Sequence, residues 1–242
     1  MIKSVGVTVP AHNEEDLLPA CLRALRAAAQ TVASLPVHVV VVADNCTDRT
    51  VQAAVSGGAS VISVNAQAVG TARAAGMKEL LRHFADVDRR DLWLATTDAD
   101  TIVPPAWLER QFRYADQGWD AVLGTVSVAE WTDVPAHLPA TFAAHYEFGE
   151  GPHPHVHGAN LGIRASAYAG AGGFGHLVTA EDHAFVSALT LAGYSVLRAA
   201  DVAVTTSARL SGRAPLGFSH LLTKLAADAP GPWAEDSHSK PR

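Results

Sequence analysis

Two aspartates separated by one residue, Asp98-Ala99-Asp100, follow an apolar run. In a loop, carboxylates at that spacing can face a common point, directly or through water. Such hard oxygen donors suit magnesium or manganese, either of which neutralises a diphosphate. Alone, the triplet is common and fits a capping or solvated loop equally well. Asp44-Asn45-Cys46-Thr47-Asp48 contains a helix-cap pattern in Thr47 or Asp48. Asp44 stands one step earlier, at a strand end, where a carboxylate can accept hydrogen bonds from a base edge or a ribose. Glu181-Asp182 alone fits a helix N-terminus enriched in acids, which the helix dipole favours. His153, His155 and His157 alternate in a Pro-rich loop, a spacing that can bind transition metals, although no acidic or thiol partner stands beside them.

These residues need a scaffold that brings them together. Ser4 to Val9 predicts a buried strand closed by Pro10, and Asp16 to about Ser34 a helix with Leu17, Leu18, Cys21, Leu22 and Leu25 on one face. Val37 to Ala43 is a continuous apolar run of strand length. Thr47 to about Val55 predicts a second helix ended by Gly57-Gly58. Ala59 to Val64 predicts a third strand, Val69 to Phe84 a third helix, and Asp91 to Thr96 a fourth strand leading into Asp98. Four alternations imply parallel βαβ units. Ligands of such sheets bind at the carboxyl ends of the strands. The polar clusters fall there: Ala11 to Glu14, Asp44-Asn45 and Asp98 to Asp100. This placement turns the triplet from a common loop into a candidate site.

The second half is less regular. Pro104-Pro105 opens a helix to about Ala115, Ala121 to Val128 is a strand, Gly149 to His157 is a loop, and Gly158 to Arg164 is a strand. Glu181 to Ala192 predicts a helix, Ser195 to Leu197 and Val202 to Thr205 two short strands, and Ala214 to Ala227 a helix. The stretch from Trp131 to His157 carries no periodicity.

Hydrophobic residues make up 48% and charged residues 17% of 242, which implies a packed core rather than disorder. The net charge of −6, with no basic stripe, argues against nucleic acid as a partner. An anionic ligand must then be held locally, by a metal, a helix N-terminus or a few arginines. Cys21 and Cys46 form no CxxC pattern, and reduced thiols in the cytoplasm are the simple expectation. No signal peptide or transmembrane segment is predicted, although a peripheral visit to a membrane surface is compatible with the sequence. Oligomeric state is not legible.

Val9-Pro10-Ala11-His12-Asn13-Glu14-Glu15 resembles the opening motif of the family 2 glycosyltransferases, which have the GT-A (nucleotide-diphospho-sugar transferase) fold. Val41 to Thr50 is similar to that family's second motif, Gly70-Thr71-Ala72-Arg73-Ala74-Ala75-Gly76 to its third, and Asp98-Ala99-Asp100 to its metal motif. Gly158 to Arg164, Gly172-Gly173-Phe174 and Glu181-Asp182 resemble the acceptor-side motifs, in order. The resemblance covers roughly residues 4 to 210. It implies an α/β fold with a mostly parallel central sheet flanked by helices, in a single domain over 1–229. Residues 1–103 would be the nucleotide-binding half and 104–229 the acceptor-binding half, with 230–242 a flexible tail.

The same resemblance implies roles. Pro10, Asn13 and Glu14 would line the nucleotide pocket, Asp44 would contact the base, and Arg73 would reach the nucleotide or its phosphates. Asp98 would touch the ribose or the metal, and Asp100 would ligate Mn2+ or Mg2+. Asp182 would be the general base, deprotonating an acceptor hydroxyl for in-line attack with inversion, with Glu181 orienting it or an acceptor. Apart from the resemblance, Arg209 and Arg213, in a loop with Gly212, either close over the diphosphate of the donor sugar nucleotide or are solvated surface arginines. His153, His155 and His157 would line the acceptor side. The acceptor would be a small molecule or a lipid-linked compound.

Two departures stand out. Relatives often carry a metal-ligating His about 25 residues after the base, where this chain has Thr205-Thr206-Ser207-Ala208-Arg209. The Gln-x-x-Arg-Trp motif of polymer-making relatives is absent, so transfer of a single sugar by a hexosyltransferase is expected. Two alternatives remain open on sequence: a nucleotidyltransferase, faintly suggested by Gly70-Thr71-Ala72-Arg73 with Lys78, and a non-catalytic nucleotide-sugar-binding protein.

Overall fold

The run Ser4–Ala11 is buried at every position and forms β1, the strand from which the sheet is built outward. The computed structural model describes residues 1–128, 130–147, 152–175, 180–210 and 217–227. After β1 come α1 (Leu18–Thr31), β2 (Val37–Asp44), α2 (Thr50–Ser56), β3 (Ser60–Val64), α3 (Val69–His83), β4 (Leu92–Thr96) and the two-residue β5 (Thr101–Ile102). The second half comprises α4 (Trp107–Asp116), β6 (Ala121–Val128), α5 (Leu138–Tyr146), β7 (Leu161–Arg164), α6 (Ala165–Gly170), α7 (Glu181–Leu191), β8 (Val196–Thr206) and α8 (Phe218–Ala227).

The strands form one sheet in the order β3-β2-β1-β4-β7-β6-β8-β5. β3, β2, β1 and β4 are mutually parallel, as the alternation predicts. β7 runs against both β4 and β6, β8 is parallel to β6, and β5 is antiparallel to β8. Alternate residues of the central strands serve two apolar layers. Val5, Val7 and Val9 pack with α1 and α4, whereas Val40 and Val42 pack with α3 and, further along, α6 and α7. Helix α3 lies unusually close to the sheet because Gly76 faces Thr8: a Cβ at Gly76 would fall 1.8 Å from Thr8 Oγ1. One turn earlier on the same helix, Arg73 is thereby pressed down at the carboxyl ends of the strands.

Four elements depart from expectation, the first being the two-residue β5, for which the sequence shows no strand pattern. The two short strands around Ser195 and Val202 are one strand, β8, whose register against β6 shifts between Gly124 and Thr125. Asn160 fills that irregularity, donating from Nδ2 to the carbonyls of Thr125 (2.8 Å) and Val202 (2.7 Å) and accepting from the Trp107 indole (2.9 Å). α5, inside the stretch without periodicity, and the short α6 were not predicted. α5 pairs with α8 in a separate apolar cluster of Leu138, Phe142, Leu222 and Leu225. The tail 230–242, Gly212 and Arg213 lie outside the described residues.

Candidate active site

Pro10 sits inside a central strand, where a missing N–H normally breaks the ladder. The register explains it. Ser4 donates its N–H toward β4 and Val5 toward β2, so Pro10 shares the β4 side. Pairing with β4 stops at Thr8–Thr96, while pairing with β2 continues through Ala11–Ala43. Beyond Thr96 the chain turns away, and β1 and β4 part. The gap opens into a cavity of about 400 Å³, lined among others by Pro10, His12, Glu14, Asp44, Asp98 and Asp100. The three polar rim clusters do meet at one site.

Its charges are arranged in pairs. The Arg209 guanidinium donates to both oxygens of the buried Glu14, Nη1 to Oε2 (3.1 Å) and Nη2 to Oε1 (2.7 Å), and Nη2 also lies 2.9 Å from Asp100 Oδ2. Burial works against its charge, but Glu14 and Asp100 outweigh burial and hold it firmly protonated. Ser207 donates to Asp100 Oδ2 (2.8 Å) and Thr206 to Oδ1 (3.3 Å). Thus the segment where relatives carry a His supplies hydroxyls and a guanidinium to Asp100, which sequence reasoning did not foresee for Thr206 and Ser207. The Cys21 thiol donates to the Asp98 carbonyl (3.4 Å); burial and the charges of Asp100, Asp98 and Glu14 drive it far from ionisation.

Asp44 lines the cavity, but its carboxylate already has work within the protein. Oδ1 accepts from the backbone N–H of Ala66 (2.7 Å) and Gln67 (3.0 Å), and Oδ2 from that of Ala68 (3.2 Å). It ties the β3–α3 turn to the end of β2. Asn13, in the left-handed region at φ 53°, accepts the Thr47 N–H at 2.7 Å and so joins the loops after β1 and β2 from outside the cavity lining. His12 donates from Nδ1 to the Asp44 carbonyl at 2.6 Å.

Arg73 lies deeper than the sequence suggests, on the far side of Asp98. Its Nη1 meets Glu181 and its Nη2 donates to Asp98 Oδ1 at 2.5 Å. Only 5% of its side chain is exposed. Burial opposes its charge; Asp98, Glu181 and Asp182 outweigh it. Burial also pushes the Glu181 carboxyl up, with Arg73 pulling the other way. Gly158 covers the guanidinium so closely that a Cβ there would lie 2.4 Å from Cζ.

A second cavity of about 360 Å³ opens past Asp98, which lines both. Asp182 faces it from the first turn of α7. Its Oδ2 accepts the Gly158 N–H (2.9 Å) and its Oδ1 the His183 N–H (2.8 Å). Ala180, just before the helix, adopts φ 56°, a left-handed conformation that costs a non-glycine residue about 1 kcal/mol and sets the direction of the helix start. The alternating histidines form a stack rather than a metal site. Tyr146 lies on His155 at 3.8 Å between centroids, and its hydroxyl accepts the Val126 N–H (2.8 Å) and shares a hydrogen bond with His157 Nε2 (2.8 Å). Burial holds His157 neutral, its pKa lowered to about 4, and pushes Tyr146 up to about 12. Of the three histidines, only His157 lines the second cavity.

No group of three or more His, Cys, Asp or Glu side chains among the described residues could by itself hold a metal ion. The fit is partial: Asp98 and Asp100 offer hard oxygens on the cavity wall, with 34% and 11% of their side chains exposed, but each already carries an arginine. A divalent cation there needs diphosphate oxygens and water to complete its shell.

The sequence pattern described as Glycosyl transferase family 2 matches residues 6–170. An undecaprenyl-phosphate 4-deoxy-4-formamido-L-arabinose transferase of Pectobacterium atrosepticum is 32% identical over 129 residues, 52% of this chain and 37% of that protein. The chain thus spans well under half the length of this curated relative. Among solved structures, S. aureus TarS 1–349 in complex with UDP-GlcNAc superposes with a TM-score of 0.66 at 17% identity, over 92% of this chain and 65% of that one. The mannosyltransferase PcManGT from Pyrobaculum calidifontis, in complex with GDP-Man and Mn2+, gives 0.61 at 20% identity, over 93% and 70%. The mixed α/β domain with its large central sheet is therefore of the GT-A kind. With the family pattern running from β1 through α6, over more than half of the chain, the chain belongs to the family 2 glycosyltransferases.

Proposed function

We propose that this glycosyltransferase moves one sugar from a nucleoside diphosphate donor to an acceptor hydroxyl, with inversion, without processivity and with the help of a divalent metal. The observation that carries the reading is the position of Asp98 in the wall shared by the two cavities, with Asp100 and Arg209 on one side and Asp182 on the other. The first cavity takes the nucleotide: Pro10, Glu14 and Asp44 line it, while Asn13 and Arg73 act from behind, setting the loop and Asp98. Arg209 faces the diphosphate; Arg213, given the same role on sequence, lies outside the described residues. Asp98 and Asp100 would hold Mn2+ or Mg2+, which when bound supplies positive charge to the departing diphosphate. Asp182 takes the proton of the attacking hydroxyl from the opposite side, an arrangement suited to a single displacement.

The donors named with the two solved relatives, UDP-GlcNAc and GDP-Man with Mn2+, support this class of donor and metal. The name of the curated relative supports a lipid-linked acceptor alongside a free small molecule. No helix among the described residues is long and apolar enough to cross a membrane. The sequence divides at about residue 103 into donor and acceptor halves in the same reading. A screen of UDP-, GDP- and dTDP-sugars for Mn2+-dependent hydrolysis tests it. At least one donor should be cleaved and its nucleoside diphosphate should raise Tm; no cleavage and no shift with any of them refutes it.

A further inference from the structure

The second cavity carries a consequence for the acceptor, and it rests on the glycosyltransferase reading above. Among the described residues its acids and arginine are Asp98, Glu181, Asp182 and Arg73, three carboxylates against one guanidinium. That guanidinium is already engaged. Its two terminal nitrogens are on Glu181 and Asp98, and Gly158 covers its face. His157 adds no positive charge, because it is packed among Tyr146, His155 and Phe218 and burial keeps its imidazole neutral. His183 stands exposed at the mouth beside Asp182. An anion entering between Asp98 and Asp182 meets like charge at short range in a half-buried site, which disfavours it by about a hundredfold or more.

The remaining wall is apolar. Val126, Val156 and Leu221 line it, and the Phe218 ring stands edge-on to His157 at 6.0 Å between centroids. Such a surface accepts the C–H face of a ring, and Asp182 at its edge accepts a hydroxyl proton.

We propose that the cavity between β6, α7 and α8 receives an uncharged, hydroxyl-bearing acceptor with an apolar face, of the glycoside kind, and rejects a phosphate as the attacking group. In the transfer, the acceptor O–H bond breaks and its proton goes to the Asp182 carboxylate. A new bond forms between that oxygen and the anomeric carbon. The bond from that carbon to the donor phosphate breaks, with the electron pair leaving on the nucleoside diphosphate.

The test supplies the full chain and its cleavable donor with submicellar n-octyl glucoside, mannoside or galactoside, and separately with octyl phosphate or farnesyl phosphate. At least one glycoside should raise donor consumption tenfold or more above hydrolysis and yield a glycosylated product by mass spectrometry. The phosphates should give less than a tenth of that rate. Leu221→Lys places a cation on the partly exposed rim and should raise transfer to the phosphates at least about fivefold. Its Tm shift with nucleoside diphosphate reports whether the donor half still folds. Transfer to a phosphate at the glycoside rate overturns the proposal. So does indifference to every glycoside while donor hydrolysis proceeds, or an unchanged phosphate response in a folded L221K. A chain that neither binds nor cleaves any sugar nucleotide refutes the underlying reading instead.

Discussion

Arg209 grips Glu14 with both terminal nitrogens, across 195 residues of sequence, and the same guanidinium touches Asp100. The contact ties the end of β8 to the loop after β1. Glu14 is buried, and removing its charge leaves Asp100 as the carboxylate paired with Arg209 among the described residues. Glu14→Gln should therefore lower stability by about 1–3 kcal/mol, less than a fully buried pair would give because Arg209 is 29% exposed. Urea unfolding at pH 7 measures it; no change in midpoint would show the pair to be idle.

The same guanidinium bears on metal binding. With Arg209 on Asp100 Oδ2, Mn2+ alone should bind weakly and nucleoside diphosphate should tighten it at least about tenfold, by supplying oxygens and drawing Arg209 toward phosphate. Arg209→Met should tighten nucleotide-free Mn2+ binding and weaken the diphosphate. Mn2+ electron paramagnetic resonance titrations, with and without UDP or GDP, separate these effects. Removal of the metal with EDTA should abolish turnover and leave the fold intact.

Asp182→Asn keeps an oxygen for the Gly158 N–H yet cannot take a proton. Turnover should fall by about 10²–10⁴ while nucleoside diphosphate affinity stays within twofold. Steady-state transfer together with a binding isotherm checks both, and an unchanged rate would remove Asp182 from the mechanism.

Asp44 satisfies three backbone N–H groups. Asp44→Ala orphans all of them and should cost about 2–4 kcal/mol, whereas Asp44→Asn, with one acceptor oxygen left, should cost less. Denaturant midpoints rank the pair. A loss of nucleotide affinity in Asp44→Asn larger than its loss of stability would reveal direct contact with the base as well.

His157 yields a pH prediction. Its pKa is about 4 in the fold against 6.5 for the free side chain, so the unfolded chain binds the proton first. Stability is whole above pH 6.5, declines as pH falls toward 4 and then levels, by up to about 3 kcal/mol for this group. His157→Gln keeps a hydrogen-bonding partner for Tyr146 and should flatten the slope between pH 6.5 and 4 in thermal melts. An identical slope would assign the acid sensitivity elsewhere.

The donor half was legible because β1 and β4 are buried at every position and β2 over its second half, so their apolar runs show the alternation from Ser4 to Thr96 without tertiary knowledge, with the edge strand β3 the most exposed of the four. The rim clusters followed from strand polarity. Less legible was what holds each acid. Asp44 at a strand end suggests a ligand contact, but its donors are main-chain groups 22 to 24 residues on, which no side-chain pattern announces. Arg73 belongs to a motif that points at the nucleotide; its partner Glu181 is 108 residues away and claims it by burial. α5 shows no periodicity because only Leu138 and Phe142 are buried, against a helix some 80 positions later.

The reversal of β7 carries one more consequence. β6 runs toward the rim where the substrates would sit, and β7 starts from that rim and runs back, paired through Leu123–Leu161 and Ala121–Ile163. Everything between Val128 and Leu161, including α5 and the stacked histidines, therefore leaves and rejoins the sheet at adjacent points. Such an excursion behaves as a cassette. With Gly158 and Asn160 kept, because they cover Arg73 and fill the β6–β8 irregularity, the part up to His157 can be lengthened, shortened or exchanged for that of a relative without shifting the frame that holds Asp98, which makes it the natural unit for grafting a new acceptor preference onto an unchanged donor half.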